Sequence, residues 1–203
     1  MEAIMLLQGK KIGFGFTGAY CVFDQVFPQL QKLVDEGAEV IPVVSYQVTF
    51  TDSRYGKASD FLQKMKTVTG KDVIKTIPDA EVYNKKEAPL DIFVISPFTG
   101  CSLSKLADGA NDTPVLMMAK ELLRNNKPVV LGIATNDGLG LSARSIATLL
   151  VTKNVFFIPF GQDNPTAKPN SLIAKFDLTL PTVLEAFKKE QLQPLLVQLD
   201  PGK

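Results

Sequence analysis

The chain has 203 residues, 22 basic and 21 acidic, for a net charge of +1, so bulk electrostatics provides no drive towards nucleic acid or acidic membranes. Histidine is absent, which excludes a Ser-His-Asp triad, a Cys-His dyad, a His general base and any His-ligated metal; no metal site is expected. Two cysteines, Cys21 and Cys101, are too few for a disulfide framework, while 45% hydrophobic residues supply a real core.

No apolar run approaches the roughly 18 residues of a membrane span. Glu2 stands where a secretory leader would be basic, and Lys10-Lys11 follow soon after. The expectation is a soluble cytoplasmic protein, a single domain over 1–203 with a C-terminal appendage from about 160 to 203.

Lys11–Phe16 is the first strand. Residues 19–35 then place Val22, Val26, Leu30, Leu33 and Val34 at helical spacing. Gly37 stops that helix, and 40–44 is a second strand in which Pro42 suits an edge position or the strand's first half. A helix over 59–69 shows Phe61, Leu62, Met65 and Val68 on one face; a short strand at 73–77 and a polar connection through Asn84-Lys85-Lys86-Glu87 follow. The strand at 91–96 (DIFVIS) is continuously apolar, as a parallel strand covered on both faces should be. Helices over 102–107 and 114–124, a strand at 128–133, a helix over 142–151, a strand at 155–159, a loop over 161–171 and a helix over 180–189 complete the chain. Strands alternating with helices predict an α/β fold, a Rossmann-like three-layer sandwich with a mostly parallel twisted sheet.

Gly13-Phe14-Gly15-Phe16-Thr17-Gly18 matches G-x-G-x-x-G where the first strand passes into the first helix. Backbone amides at such a turn cradle phosphate; the plainer reading has the glycines merely turning the chain. A dinucleotide site also needs an acid at the end of the second strand, and Val43-Val44-Ser45 offers a hydroxyl instead, which favours a mononucleotide. Thr17 and Ser45 are the natural side-chain donors to its phosphate.

Ligands of open α/β sheets bind beyond the C-terminal strand ends, so the loops after DIFVIS and PVVLGI matter most. Ile95 to Asp112 carries Ser96-Pro97, Thr99, Ser102, Lys105, Ala107, Gly109, Ala110 and Asp112, and the first turn reads Gly15-Phe16-Thr17-Gly18-Ala19-Tyr20. In these segments, taken in order, the chain resembles the flavoprotein family of FMN-binding cysteine decarboxylases, phosphopantothenoylcysteine decarboxylase and flavin prenyltransferase. The family patterns are G-x-[ST]-G-[AS] and APATANT-x-x-K-x-A-x-G-x-A-D. The resemblance implies FMN held by Gly15, Phe16, Thr17, Gly18, Ser45, Ser96, Pro97, Thr99 and Ser102, and assembly into trimers or their multiples. Phe160-Gly161-Gln162-Asp163 and Lys168-Pro169-Asn170-Ser171 are similar to a two-subunit member. That implies a partner subunit carrying NAD(P) and a small dicarboxylate substrate.

The chain also departs from the family. The decarboxylases' histidine is missing, their P-x-M-N is here Ile133-Ala134-Thr135-Asn136, and Cys101 replaces the Asn of the APATANT-like loop. Cys101 and Asn136 are the catalytic candidates, each with a plain alternative, a small packed residue and a turn former. Arg54, Asn136 and Arg144 are candidates to bind substrate, since arginine grips carboxylates in a bidentate fork, although a solvated arginine is the commoner case. Ser102 is read equally as a flavin contact and a helix cap, Lys105 as the surface partner of Asp108 or Asp112, and Cys21 as core. The alternative function is a stand-alone FMN-binding decarboxylase or prenyltransferase-like enzyme, with Tyr20, Tyr46 and Asp137 as the acids left to replace histidine.

Overall fold

The computed structural model describes residues 5–86 and 89–199. The expectations that rest on Glu2 and Glu87 fall outside them. Parallel strands β1 (Lys11–Phe16), β2 (Glu39–Val44), β3 (Ile92–Phe98), β4 (Val129–Thr135) and β5 (Val155–Phe157) form the sheet's body. Two short strands, β6 (Phe160–Gly161) and β7 (Leu172–Ala174), extend it antiparallel beyond the end of β4. The order is β2-β1-β3-β4-β7-β6, with β5 also paired to β4. The sheet lies between two helix layers, the expected α/β sandwich.

Each face has its own core. On one, α1 (Phe23–Asp35) brings Val26, Phe27, Leu30 and Leu33, and α8 (Thr179–Phe187) brings Val183 and Ala186. There Phe16 contacts Phe14, Phe23 and Phe27 with ring centroids 5.1–5.4 Å apart. On the other, α5 (Gly100–Ala107), α6 (Pro114–Arg124) and α7 (Ala143–Leu150) cover β3 and β4 through Leu103, Leu116, Met118 and Ile146. Helix α6 starts with Pro114 in its first turn and with the Thr113 hydroxyl accepting from Leu116 N at 3.2 Å, two recognised start signals. Burial of these stripes, not helix propensity, holds the layers on.

Pro42 does lie on an edge, because among the described residues β2 pairs only with β1 apart from a single bridge from Val43 to Ile74. That bridge is all that forms of the strand expected at 73–77. Ile77 instead opens helix α4 (Ile77–Lys86), and the expected polar connection through Asn84 to Lys86 is its last turn. Two further helices, α2 (Tyr46–Phe50) and α3 (Ala58–Thr69), follow β2; the first is a single turn too short to show a period. The loop expected at 161–171 conceals a pairing, since β6 and β7 bracket it. Among the described residues, no helix is long and apolar enough to cross a membrane.

Candidate functional site

In the order β2-β1-β3-β4, the connections after β1 and β3 leave on opposite faces. A crevice therefore opens above the adjacent C-terminal ends of those two strands. A cleft of about 1300 Å³ occupies that position, ample for a cofactor-sized ligand plus a small substrate. Its floor is built by Gly18 to Val22 after β1, Thr99 and Gly100 after β3, and Ala134 to Asn136 at the end of β4. Gln25 and Gln29 of α1 form one wall, and Arg54 and Tyr55 also line the cleft. Asp163 and Lys168, from the loop between β6 and β7, form another wall with the strand β7 itself.

One buried hydroxyl fastens the floor. Thr17 Oγ1 donates to Pro97 O at 2.8 Å and accepts from Thr99 N at 2.9 Å, tying the turn after β1 to the turn after β3. Its proton is thus spent inside the protein, which corrects the expectation that it donates to phosphate. Thr99, not Ser102, is the cap of α5: its oxygen accepts from Ser102 N at 3.4 Å and it donates to Ser102 Oγ at 3.0 Å. Pro97 contributes its carbonyl to the Thr17 clasp and is itself buried.

The glycine motif divides between two tasks. Gly13 and Gly15 lie inside β1, not in the turn. A Cβ on Gly13 would sit 2.5 Å from the Phe93 ring, and one on Gly15 would sit 2.9 Å from that ring and 3.1 Å from Val115. Those glycines admit the Phe93 ring of the neighbouring strand β3 and, at Gly15, Val115 of α6, and Phe16 points into the aromatic core, so neither Gly15 nor Phe16 presents a side chain to the cleft. Gly18 alone is in the turn and lines the cleft, and its amide has no acceptor among the described residues. At the end of β2, outside the cleft lining, Ser45 is held by its own N–H to Phe16 O at 3.0 Å and buries a hydroxyl without a partner among the described residues. Ser96 is fully buried with its hydroxyl likewise unpaired, over Gly132, where a Cβ would come within 2.6 Å of it. Unpaired buried hydroxyls are uncommon and costly, and they mark places where a ligand or water belongs.

Of the residues expected to bind substrate, Arg54 and Asn136 line the cleft and Arg144 does not, since α7 turns it to solvent. The Arg54 guanidinium donates to Tyr55 Oη at 2.7 Å and lies 4.9 Å from the centroid of that ring. Asn136 is exposed, and the turn around it is made by Asp137, whose carboxylate accepts from Leu141 N and Ser142 N at 3.2 and 3.3 Å. Cys101 and Ser102, in the first turn of α5, lie outside the cleft lining. Cys21, expected in the core, is exposed in the cleft. A 3-10 turn over Tyr20–Val22 precedes α1 and rotates it off the apolar face.

The replacement acids are largely engaged elsewhere. Burial raises the Tyr20 hydroxyl above its ordinary value, and its proton goes to Gln47 O at 2.7 Å. Asp137 is spent on backbone amides, and Tyr46 stacks on Phe50 with centroids 6.3 Å apart. Lys105 pairs with Asp112, whose hydrogen bond holds its ammonium above the usual range.

Sequence reading missed Gln25, Gln29, Tyr55, Asp163 and Lys168. The two glutamines, four apart on the helix after the glycine turn, were a readable signal. Asp163 and Lys168 reach the cleft only because β6 and β7 pair, and strands of two and three residues carry no period. Burial pushes the Asp163 carboxyl up, but the Ser171 hydroxyl, a backbone N–H and the Lys168 ammonium at 3.4 Å together hold it below the ordinary carboxylate value. Among the described residues, no group of three His, Cys, Asp or Glu is placed to hold a metal.

Comparison with known proteins agrees with this architecture. The flavoprotein family model matches residues 4–153. The B subunit of dipicolinate synthase from Bacillus subtilis (strain 168) is 52% identical over 192 residues, covering 95% of this chain and 96% of its own. It is the two-subunit member that the 160–163 and 168–171 segments suggested. The crystal structure of the corresponding dipicolinate synthase chain from Bacillus halodurans C superposes with a TM-score of 0.86 at 46% identity, over 95% of this chain and 98% of its own. Burkholderia xenovorans DmrB in complex with FMN gives 0.58 at 15% identity, over 73% and 87%, a likeness of fold alone. With most of its length matched and its cleft at the β1/β3 switch point, the chain belongs to the flavoprotein family.

Proposed function

We propose that the chain works as the B-type subunit of a dipicolinate synthase. With an NAD(P)-dependent A-type partner, it converts a dihydrodipicolinate-type precursor to dipicolinate in the mother-cell cytoplasm of a sporulating bacterium. The observation that carries this reading is 52% identity to the Bacillus subtilis chain over nearly the full length of both. The cleft supports it. A free amide at Gly18 and an unpaired Ser45 hydroxyl at the end of the paired strand β2 suit the phosphate of FMN, and the end of β2 offers no acid for the ribose of a dinucleotide.

Bound there, a flavin supplies a two-electron acceptor. The chain's own residues hold and orient. Thr17 keeps the turns after β1 and β3 at a set separation, and Arg54 and Asn136 offer donors to the carboxylates of a dianionic pyridine precursor. Tyr55 constrains the guanidinium of Arg54 in one orientation. The same chain is proposed to self-associate, and to form a single domain whose segment from about 160 supplies one wall of the cleft.

The test is reconstitution. Purified chain should be yellow, release FMN on denaturation, and raise the rate of dipicolinate formation when added to the A-type partner. A colourless chain that leaves that rate unchanged overturns the assignment.

A further inference from the structure

Part of the cleft lining is carried by a surface loop. Residues 51–57 run mostly exposed between α2 and α3, where a chain ordinarily has freedom to move. This loop is tightly built instead. Ser53 and Gly56 exchange backbone hydrogen bonds at 2.9 and 3.1 Å, and Ser53 Oγ accepts from Tyr55 N at 3.2 Å. They close a four-residue turn with Arg54 and Tyr55 at its tip. Asp52 Oδ1 accepts from Ala58 N at 2.9 Å, which pins the loop to the first residue of α3. Arg54 and Tyr55 are exposed, line the cleft and are bonded to one another. A guanidinium already held in one pose loses less freedom when it meets an anion.

The entry side of that loop is tied down from the cleft floor. Tyr20, half-buried and lining the cleft, donates to Gln47 O at 2.7 Å and reaches Thr51 O at 3.3 Å. The first acceptor lies in α2 and the second directly after it. The Tyr20 ring also stands 5.9 Å from that of Phe61. Phe61 in turn packs under Gly56, whose φ is +149° and where a Cβ would come within 2.8 Å of the ring. The turn is therefore tied to Tyr20 twice, by a hydroxyl before it and through an aromatic ring beneath it. Burial raises the phenol above its ordinary value, so the hydroxyl keeps its proton at neutral pH.

We infer that Tyr20 is a positioning residue, whose hydroxyl fixes the Ser53–Gly56 turn so that Arg54 meets a carboxylate of the substrate. The inference rests on the proposed function, which gives Arg54 that carboxylate, and adds the residue that aims it.

The test is a double-mutant cycle on the full chain loaded with FMN. It is read by calorimetric titration with dipicolinate and with pyridine-2,6-dicarboxamide, its neutral isostere. Arg54→Ala should weaken dipicolinate binding roughly 10–100-fold, the scale of a hydrogen bond to a charged group. Tyr20→Phe, which keeps the ring and loses the hydroxyl, should weaken it about 5–10-fold. Adding Tyr20→Phe to Arg54→Ala should cost almost nothing further, because the two act as a unit. The dicarboxamide and FMN should bind wild type and Tyr20→Phe equally. With the A-type partner, Tyr20→Phe should raise KM for the precursor rather than lower kcat, the pattern of lost uniform binding.

Wild-type dipicolinate affinity in Tyr20→Phe overturns the inference alone. So does an additive loss in the double variant, or an equal loss for the dicarboxamide and FMN, which marks a general distortion of the cleft. Wild-type dipicolinate affinity in Arg54→Ala overturns the inference together with the role given to Arg54. A wild-type chain that neither binds dipicolinate nor speeds its formation overturns this inference and the proposed function together.

Discussion

Gly15 and Gly18 belong to one motif yet answer to different forces. Gly15 makes room for Phe93 of the neighbouring strand β3 and Val115 of α6, whereas Gly18 leaves an amide open to the cleft. Gly15→Ala is therefore expected to cost about 1–3 kcal/mol by overpacking, read as a lower urea midpoint, with FMN binding by the folded fraction unchanged. Ser45→Ala should do the reverse. Removing a buried hydroxyl that has no partner leaves the empty protein within about 1 kcal/mol of wild type, because nothing is left unsatisfied. FMN affinity should drop about tenfold, measured by fluorescence titration, on the scale of one hydrogen bond to a charged group. At this scale the sequence named the right neighbourhood but not the roles. Thr17 and Thr99 were read as ligand donors because their chain positions suit it, and only the approach of β3 to β1 shows that they bond to one another's turns.

Elements are held at their margins by a few polar side chains. Glu39 at the start of β2 meets Lys71 at 2.7 Å and Lys11 of β1 at 3.6 Å, and the Lys71 hydrogen bond keeps its carboxyl below the ordinary 4.5. A depressed carboxyl stabilises the fold fully above its unfolded value and loses that contribution as pH falls through the folded one. Glu39→Gln should thus flatten the decline in stability between about pH 5 and 3, by less than about 1 kcal/mol for so exposed a pair, in urea melts across that range.

At the other side of the sheet, Gln191 acts as a substitute strand. Its side chain accepts from Phe157 N at 2.8 Å and donates to Phe157 O at 2.7 Å, closing the free edge of β5. Gln191→Ala leaves both backbone groups without protein partners and should cost about 1–3 kcal/mol, seen as a fall in Tm of several degrees. The long apolar strands and α6 were readable from periodicity and capping residues. The strands β6 and β7 and the Gln191 clasp were not, because their partners lie distant in sequence and their own runs are too short to alternate.

The molecule as a whole is one sheet with two cores, and the reversal of growth between β1 and β3 places the cleft. That much follows from the alternation of strands and helices, since right-handed crossovers leave few other topologies. The wall contributed by the segment beyond β5 does not follow, because it depends on a hairpin pairing to the far end of β4. If the cleft takes FMN in the folded state only, ligand at 100 times its Kd should add about 2.7 kcal/mol, raising Tm by roughly 5–10 °C in a calorimetric scan. Riboflavin, which lacks the phosphate, should shift it markedly less.

Because the Thr17 clasp joins two turns that would otherwise swing separately, the base of the cleft behaves as a fixed gauge. Under the proposed function, a flat ring system would have to match that gap, and selectivity for the second reactant would fall to the outer loops.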